Sequence, residues 1–373
     1  MIPDKKAKTI FAVGGGKGGV GKSIFSVALG TVLADAGRSV VLADLDLGAA
    51  NLHACLGILK KTPSIADFIL KKVPSLEDIL IETSRKNLKL ISGADFMPGM
   101  ANPAYWMKLK IMRHIKSLPA DIVIMDLGAG VHFNTLDFFG VADRGIVVTA
   151  PEPGAVMNAY GFIKGALFRK LQSIFRKHPD IGPLIESESK KTEGEGRLTL
   201  DQFAEEIKKI DLDLYPLISE VEQSFNPALV VNRVPSGQSH VLVKNLISLC
   251  GEKLGIKMDH VGNLPDSRDI TDFLLKIPGF LDAKSGKLYR SAIKSIIDKL
   301  NVPGLTVPQT GQRKAEYSDE DVERIIKVME WLDDRIFSGT NREAWKLRMY
   351  FNPSEVVDFL VSRGVNHETL SSE

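Results

Sequence analysis

Gly14–Ser23 spells GGGKGGVGKS, ten residues with six glycines and two lysines, directly after the apolar run Thr9–Val13. Glycine takes positive φ without strain and carries no Cβ, so successive backbone N–H groups can converge on an anion. Gly16 to Ser23 fits G-x-x-x-x-G-K-[ST], the pattern of a loop that wraps a chain of nucleotide phosphates. The backbone of Gly15, Gly16, Lys17, Gly18, Gly19, Val20 and Gly21 is expected to line those phosphates, with Lys22 bringing a charge to the β- and γ-phosphates. The Ser23 hydroxyl is placed to ligate Mg²⁺, and Ile24 opens a helix whose positive dipole end faces the same anion.

Carboxylates follow at the right places for such a ligand. Asp44 and Asp46 end the strand pattern Ser39–Leu47 and, two apart, share a face. In Asp121–Leu127 (DIVIMDL) an apolar run leads to Asp126, whose burial calls for a partner, and a metal ion is a suitable one. Ser23 and Asp126 are the candidate metal residues. Gly128 and Gly130 let the chain after Asp126 move with the state of the phosphates. Two strand ends suit a base: Asn232-Arg233 and Pro265-Asp266, where the Asn232 carboxamide offers a purine edge both a donor and an acceptor.

These residues need a scaffold that gathers strand ends. Thr9–Val13, Ser39–Leu47, Leu88–Ile91, Asp121–Leu127, Arg144–Ala150, Ala228–Val234 and Lys257–Leu264 are expected strands. Helical patterns at Ile24–Gly37, Asn102–Leu118, Pro153–Lys177 and Ser239–Leu254 separate most of them. Continuous apolar strands alternating with helices predict an α/β fold, a mostly parallel, doubly wound sheet with ligands at its carboxyl edge. Two segments break the rhythm. Residues 169–225, with the polar tip Glu186–Arg197, are expected to form a helical insertion. Asn301–Ser318 has the composition of a linker, which divides the chain into a domain over 1–300 and a helical extension over 319–373. In that extension Asp319–Phe337 carries an apolar stripe through Val322, Ile325, Ile326, Met329, Leu332 and Ile336, and Pro353–Gly364 is a further helix.

Composition narrows the classes. The chain is 373 residues long, 44% hydrophobic and 25% charged, with net charge +2, so bulk electrostatics demands neither nucleic acid nor membrane. Cys55 and Cys250 stand far apart, which excludes a CxxC pair and a disulfide scaffold; the seven histidines lack zinc spacing. With no signal-peptide pattern and no apolar run of membrane-spanning length, the expectation is a cytoplasmic protein.

Lys17 is unnecessary for holding one nucleotide, and "KGGVGKS" resembles the deviant Walker A motif of the MinD/ParA ATPase family. "DLDLGAAN" is similar to the family's first switch, with Asp44, Asp46, Gly48 and Asn51 in register, and the sequences around Asp126, Asn232 and Pro265-Asp266 match its later motifs. The resemblance covers roughly residues 8–300. It implies ATP or ADP with Mg²⁺, and an ATP-dependent homodimer in which Lys17 reaches the partner's phosphates in trans. Lys22 and Asp46 join Lys17 as catalytic residues, Asp46 orienting the attacking water, and Asp44 joins Ser23 and Asp126 as a metal residue near the Mg²⁺. Asn51, Asn232, Arg233, Pro265 and Asp266 join the nucleotide contacts, the last four around the adenine. "DLGAG", "VVTAPEPGAVMNAYGFIK" and "VVNRV" are most similar to the FlhG/FleN branch, which regulates flagellar number and placement, partly by restraining a transcriptional activator. The segment that stimulates a partner GTPase in that branch has no match in MIPDKKAKT.

Partner expectations follow from charge. Arg313 to Glu373 holds nine Lys/Arg against thirteen Asp/Glu, which disfavours anchoring on anionic lipid through this end. Recruitment to a pole or a membrane-associated complex would then pass through a protein partner. Gly154–His178 holds five basic and no acidic residues, so a ParA-like, nonspecific DNA- or cargo-positioning role stands as the alternative, beside a solvated helix face. An ATP-dependent small-molecule enzyme and an iron–sulfur carrier are the remaining family readings; no second catalytic constellation and no paired cysteines support them.

Overall fold

The computed structural model describes residues 8–93, 105–175, 178, 180–191, 198–235 and 241–302. The expected linker beyond residue 302, the extension over 319–373 and the tip at 192–197 lie outside the described residues, as do 102–104, 176–177 and 239–240 of the expected helices.

Strands β1 (Thr9–Gly14), β2 (Val40–Asp44), β3 (Ile81–Glu82), β4 (Leu88–Ile91), β5 (Ile122–Asp126), β6 (Arg144–Thr149), β7 (Ala228–Val234) and β8 (Asp259–Pro265) form one sheet in the order β3-β4-β2-β5-β1-β6-β7-β8. All neighbours are parallel except β3 and β4. Both faces are covered, and every residue of β2 and β5 is buried, as their unbroken apolar runs require. The expected mostly parallel α/β sheet is therefore the observed one. The short edge strand β3 carries no alternating pattern that would have announced it.

The helices are α1 (Lys22–Asp35), α2 (Leu52–Cys55), α3 (Ile65–Ile69), α4 (Tyr105–Ser117), α5 (Phe133–Gly140), α6 (Pro153–Ile174), α7 (Gly182–Lys190), α8 (Leu200–Ile210), α9 (Tyr215–Ser224), α10 (Val241–Leu254), α11 (Ile277–Asp282) and α12 (Lys287–Lys299). Helix α1 is buried almost all round, including Phe25, Ser26, Leu29 and Leu33. It stops at Gly37, whose φ of 84° lets the Arg38 N–H reach back to the Leu33 carbonyl.

Helices α7, α8 and α9 fill the chain between α6 and β7. Thr199 and Gln202 cap α8 reciprocally, and Phe203 and Ile207 turn its apolar stripe into the core. Buried Glu188 accepts from Lys191 Nζ and from the Leu198 N–H, tying together the two described ends beside 192–197. The basic residues of α6 are engaged locally. Lys164 donates to the Lys191 carbonyl, Arg169 to Asp137 and Lys170 to the Ser224 hydroxyl. Asp137 also takes Lys108 at 2.5 Å, so one carboxylate joins α4, α5 and α6. Both cysteines are free, and Cys250 lies in the core.

Candidate functional site

Register brings the chemistry to one edge. Val13 pairs with Asp126 and Asp126 with Asp44, so the start of the glycine loop and two carboxylates end adjacent strands at one level. The loop crosses this edge and runs into α1, whose N-cap is Gly21 at φ 93°. Gly19 has φ 76°. A Cβ on Gly16 would lie 1.9 Å from the Asn158 carbonyl oxygen of α6, and one on Gly15 would lie 2.6 Å from the Val148 oxygen. By contrast, added Cβ atoms at Gly18 and Gly19 would meet nothing within 4 Å, so this part of the loop faces open space. The glycines therefore serve two needs: close approach below, and left-handed backbone at the turn.

The two loop lysines have opposite settings. Lys22 is 8% exposed and points inward, where burial lowers its pKa while Asp126 and Asp46 pull the other way. Lys17 is exposed, and its ammonium sits 3.0 Å from Glu152 at the N-cap of α6. That contact holds the Glu152 carboxyl below its ordinary pKa.

Asp126 is buried and fully engaged by hydroxyls. Ser23 Oγ donates to one carboxylate oxygen and Ser26 Oγ to the other, each at 2.7 Å. Burial pushes its pKa up to about 6, against the lowering effect of both serines and Lys22. Asp44 is wholly buried, and burial, followed by the nearby Asp126, pushes it up to about 8. Its oxygens accept the backbone N–H groups of Asp46, Asn51 and Leu52 at 3.3, 2.9 and 3.0 Å. Asp44 thus holds the turn between β2 and α2 in shape. Asp46 is half-buried and lies against Gly128, where an added Cβ would come within 3.0 Å of its carboxylate.

The expected base residues occupy a different layer. Asn232 is buried under the loop and donates to the Val20 carbonyl at 2.9 Å, while Arg233 donates to the Gly19 carbonyl at 2.5 Å. These two side chains clamp the glycine turn from the β7 end. The Pro265-Asp266 step is beside them, since the Asp266 N–H bonds the Val234 carbonyl. Ile24 is half-buried in the first turn of α1, and Asn51 is exposed with its backbone spent on Asp44. Ser26 and Glu152 were not singled out from sequence. Ser26 carries a weak signal, three residues after Ser23 on the same helix face; Glu152 carries none.

The donor set suits Mg²⁺ with phosphate. Two desolvated carboxylates, Asp44 and Asp126, end adjacent strands below the loop, and Lys22 offsets the charge of Asp126. Among the described residues, no group of three or more His, Cys, Asp or Glu side chains is arranged to hold a metal ion alone. Mg²⁺ is commonly bound through one or two carboxylates with phosphate oxygens and water completing the octahedron. Ser23 and Asp126 meet that requirement.

Known proteins resemble this chain in sequence and in fold. A family model described as the CobQ/CobB/MinD/ParA nucleotide binding domain matches residues 11–333. The antiactivator FleN of Pseudomonas aeruginosa is 33% identical over 163 residues, 42% of this chain and 55% of FleN. The flagellum site-determining protein YlxH of Helicobacter pylori is 33% identical over 171 residues, 43% of this chain and 55% of YlxH. The chain spans about half the length of the curated relatives it matches. In fold, it is similar to the septum site-determining protein MinD of Pyrococcus horikoshii complexed with Mg-ADP, with TM-score 0.50 at 17% identity, covering 79% of this chain and 96% of that one. The MinC:MinD complex of Aquifex aeolicus gives TM-score 0.50 at 20% identity, covering 78% and 95%. The family model's match to residues 11–333, most of the chain, carries the conclusion that the chain belongs to the CobQ/CobB/MinD/ParA nucleotide-binding domain family.

Proposed function

We propose that the protein is an Mg²⁺-dependent ATPase that works as a dimeric switch of the MinD/ParA type. The observation that carries this reading is the split between the two loop lysines. Lys22 is turned into its own site, whereas Lys17 stands exposed on the same loop, paired with the surface carboxylate of Glu152. A charge held outside its own site is available to a second copy, where it would neutralise phosphate charge developing in the transition state, as an arginine finger does.

The geometry supports the following roles. The loop N–H groups and Lys22 bind the β- and γ-phosphates. Ser23 and Asp126 hold Mg²⁺, with Asp44 behind them fixing the switch turn, and the ion supplies charge neutralisation across the phosphates when bound. Asp46, half-buried beside Gly128, orients water. Asn232 and Arg233 hold the loop from the β7 end, and the neighbouring Pro265 and Asp266 frame the base. The ATPase domain spans residues 1–300, with 301–318 a linker to the extension over 319–373.

The likeness to an antiactivator and to a flagellum site-determining protein supports a role in flagellar number or placement, with a transcriptional activator or a polar complex as the partner. The local engagement of Lys164, Arg169 and Lys170 gives no support to a DNA-binding face on α6. Among the described residues no helix is long and apolar enough to cross a membrane.

The test is light scattering on an Asp46→Ala variant, which retains the phosphate loop. With ATP and Mg²⁺ the mass doubles; with ADP it stays that of one chain. A mass indifferent to nucleotide, in protein shown to bind ATP, refutes the switch.

A further inference from the structure

A cavity of about 520 Å³ lies beside the switch turn, between the chain that follows β2 and the end of β4. Among the described residues its lining includes His53, Lys60, Lys61, Thr62, Ser92 and Gly93, and no Asp or Glu. The volume falls within the range of small-molecule sites and exceeds what one bare phosphate fills.

The cavity wall touches the switch directly. A Cβ on Gly93 would lie 2.3 Å from the Ala50 Cβ and 3.2 Å from Asp44 Cγ. Asp44 in turn accepts the N–H groups of Asn51 and Leu52, which open the helix that carries His53. A group seated against His53 and Gly93 therefore bears on Asp44 through the cavity wall.

We infer that this cavity binds a small phosphate ester and that its occupancy is coupled to the nucleotide site. Two ammonium groups, two hydroxyls and an imidazole are the donors a phosphate dianion takes, lysine acting as a point charge. The remaining volume, walled by Ala49, Ala50 and Leu59, seats a short organic body. Binding at the cavity stands independently of the proposed ATPase reading; the coupling rests on it. By linkage, a ligand that alters nucleotide affinity has its own affinity altered by the same factor.

The binding test uses the full chain carrying Lys22→Ala, free of nucleotide, so that the phosphate loop contributes little. Histidine-ring resonances are followed by NMR during titration with glycerol 3-phosphate, and the His53 signal is assigned with a His53→Gln variant. A saturable His53 shift is expected. In a chain that also carries Lys60→Gln and Lys61→Gln the affinity falls by about tenfold or more. No shift, an equal shift in the lysine-substituted chain, or an equal response to acetate at matched ionic strength overturns the site.

The coupling test uses the unmodified chain. Glycerol 3-phosphate is expected to change the Kd of a non-hydrolysable ATP analogue with Mg²⁺ at least about threefold, and the Lys60→Gln/Lys61→Gln chain loses that effect. An unchanged Kd overturns the coupling. Failure of the analogue to bind refutes the nucleotide reading instead, and leaves the His53 result standing.

Discussion

Replacing Asp44 with asparagine removes a carboxyl that the folded chain keeps protonated until about pH 8. Burial is the leading cause and the neighbouring Asp126 the second. In the unfolded chain an aspartate titrates near pH 4. Across the window between those values the folded state holds a proton that the unfolded state has released, so rising pH favours unfolding. The loss runs at about 1.4 kcal/mol per pH unit and levels off above the folded pKa. From pH 6 to pH 8 the nucleotide-free protein should therefore lose about 2 kcal/mol through Asp44, allowing for partial ionisation near the upper end. Asp126, raised to about 6, titrates mostly below this window and is common to both proteins. At pH 6 the carboxamide can keep its oxygen on the Asn51 and Leu52 N–H groups but sets its NH2 against the Asp46 N–H, so Asp44→Asn should be the less stable by about 1–2 kcal/mol. Between pH 6 and pH 8 Asp44→Asn should gain about 2 kcal/mol relative to the unmodified chain, because it lacks the carboxyl that ionises. Urea unfolding in EDTA at the two pH values measures this, with equal m-values as the control. Parallel pH dependences for the two proteins would refute the reasoning.

Two further substitutions probe the loop's supports. Gly16→Ala places a methyl 1.9 Å from the Asn158 carbonyl oxygen, a backbone atom that cannot rotate away. The loop must lift from α6, and ATP affinity by fluorescent-nucleotide titration should fall by more than about tenfold. Asn232→Ala strands the Val20 carbonyl in a buried layer. It should cost about 1–3 kcal/mol, read as a lower thermal midpoint together with weaker ATP binding.

What sequence carried, and what it did not, divides on physical lines. The phosphate loop was legible because its requirement is local: left-handed turns at Gly19 and Gly21 and a helix starting at Lys22 are consequences of nearest neighbours. The parallel sheet was legible because doubly buried strands must be apolar throughout, as β2 and β5 are. Partner choice was not legible. Asn232 reaches Val20 across 212 positions, and the Arg169 guanidinium settles on Asp137 of another helix rather than facing outward for a polyanion. Asp44 and Asp46 look alike in sequence, yet one is consumed by three backbone N–H groups while the other stays half-buried at Gly128. Glu152 lies 135 residues from Lys17, and only the packed loop reveals that it receives the ammonium.

The most direct test of the dimeric switch is complementation between two inactive chains. Lys17→Ala lacks the donated charge but keeps Asp46; Asp46→Ala lacks the water-orienting carboxylate but keeps Lys17. In a mixed dimer the second chain can complete the first chain's site, and a twofold interface makes half the pairs mixed, each with one whole site. Mixing equal amounts should therefore restore about a quarter of the wild-type ATPase rate from two near-silent proteins. A mixture that stays silent while light scattering shows mixed dimers, or a Lys17→Ala chain that hydrolyses ATP at the wild-type rate alone, would contradict the account.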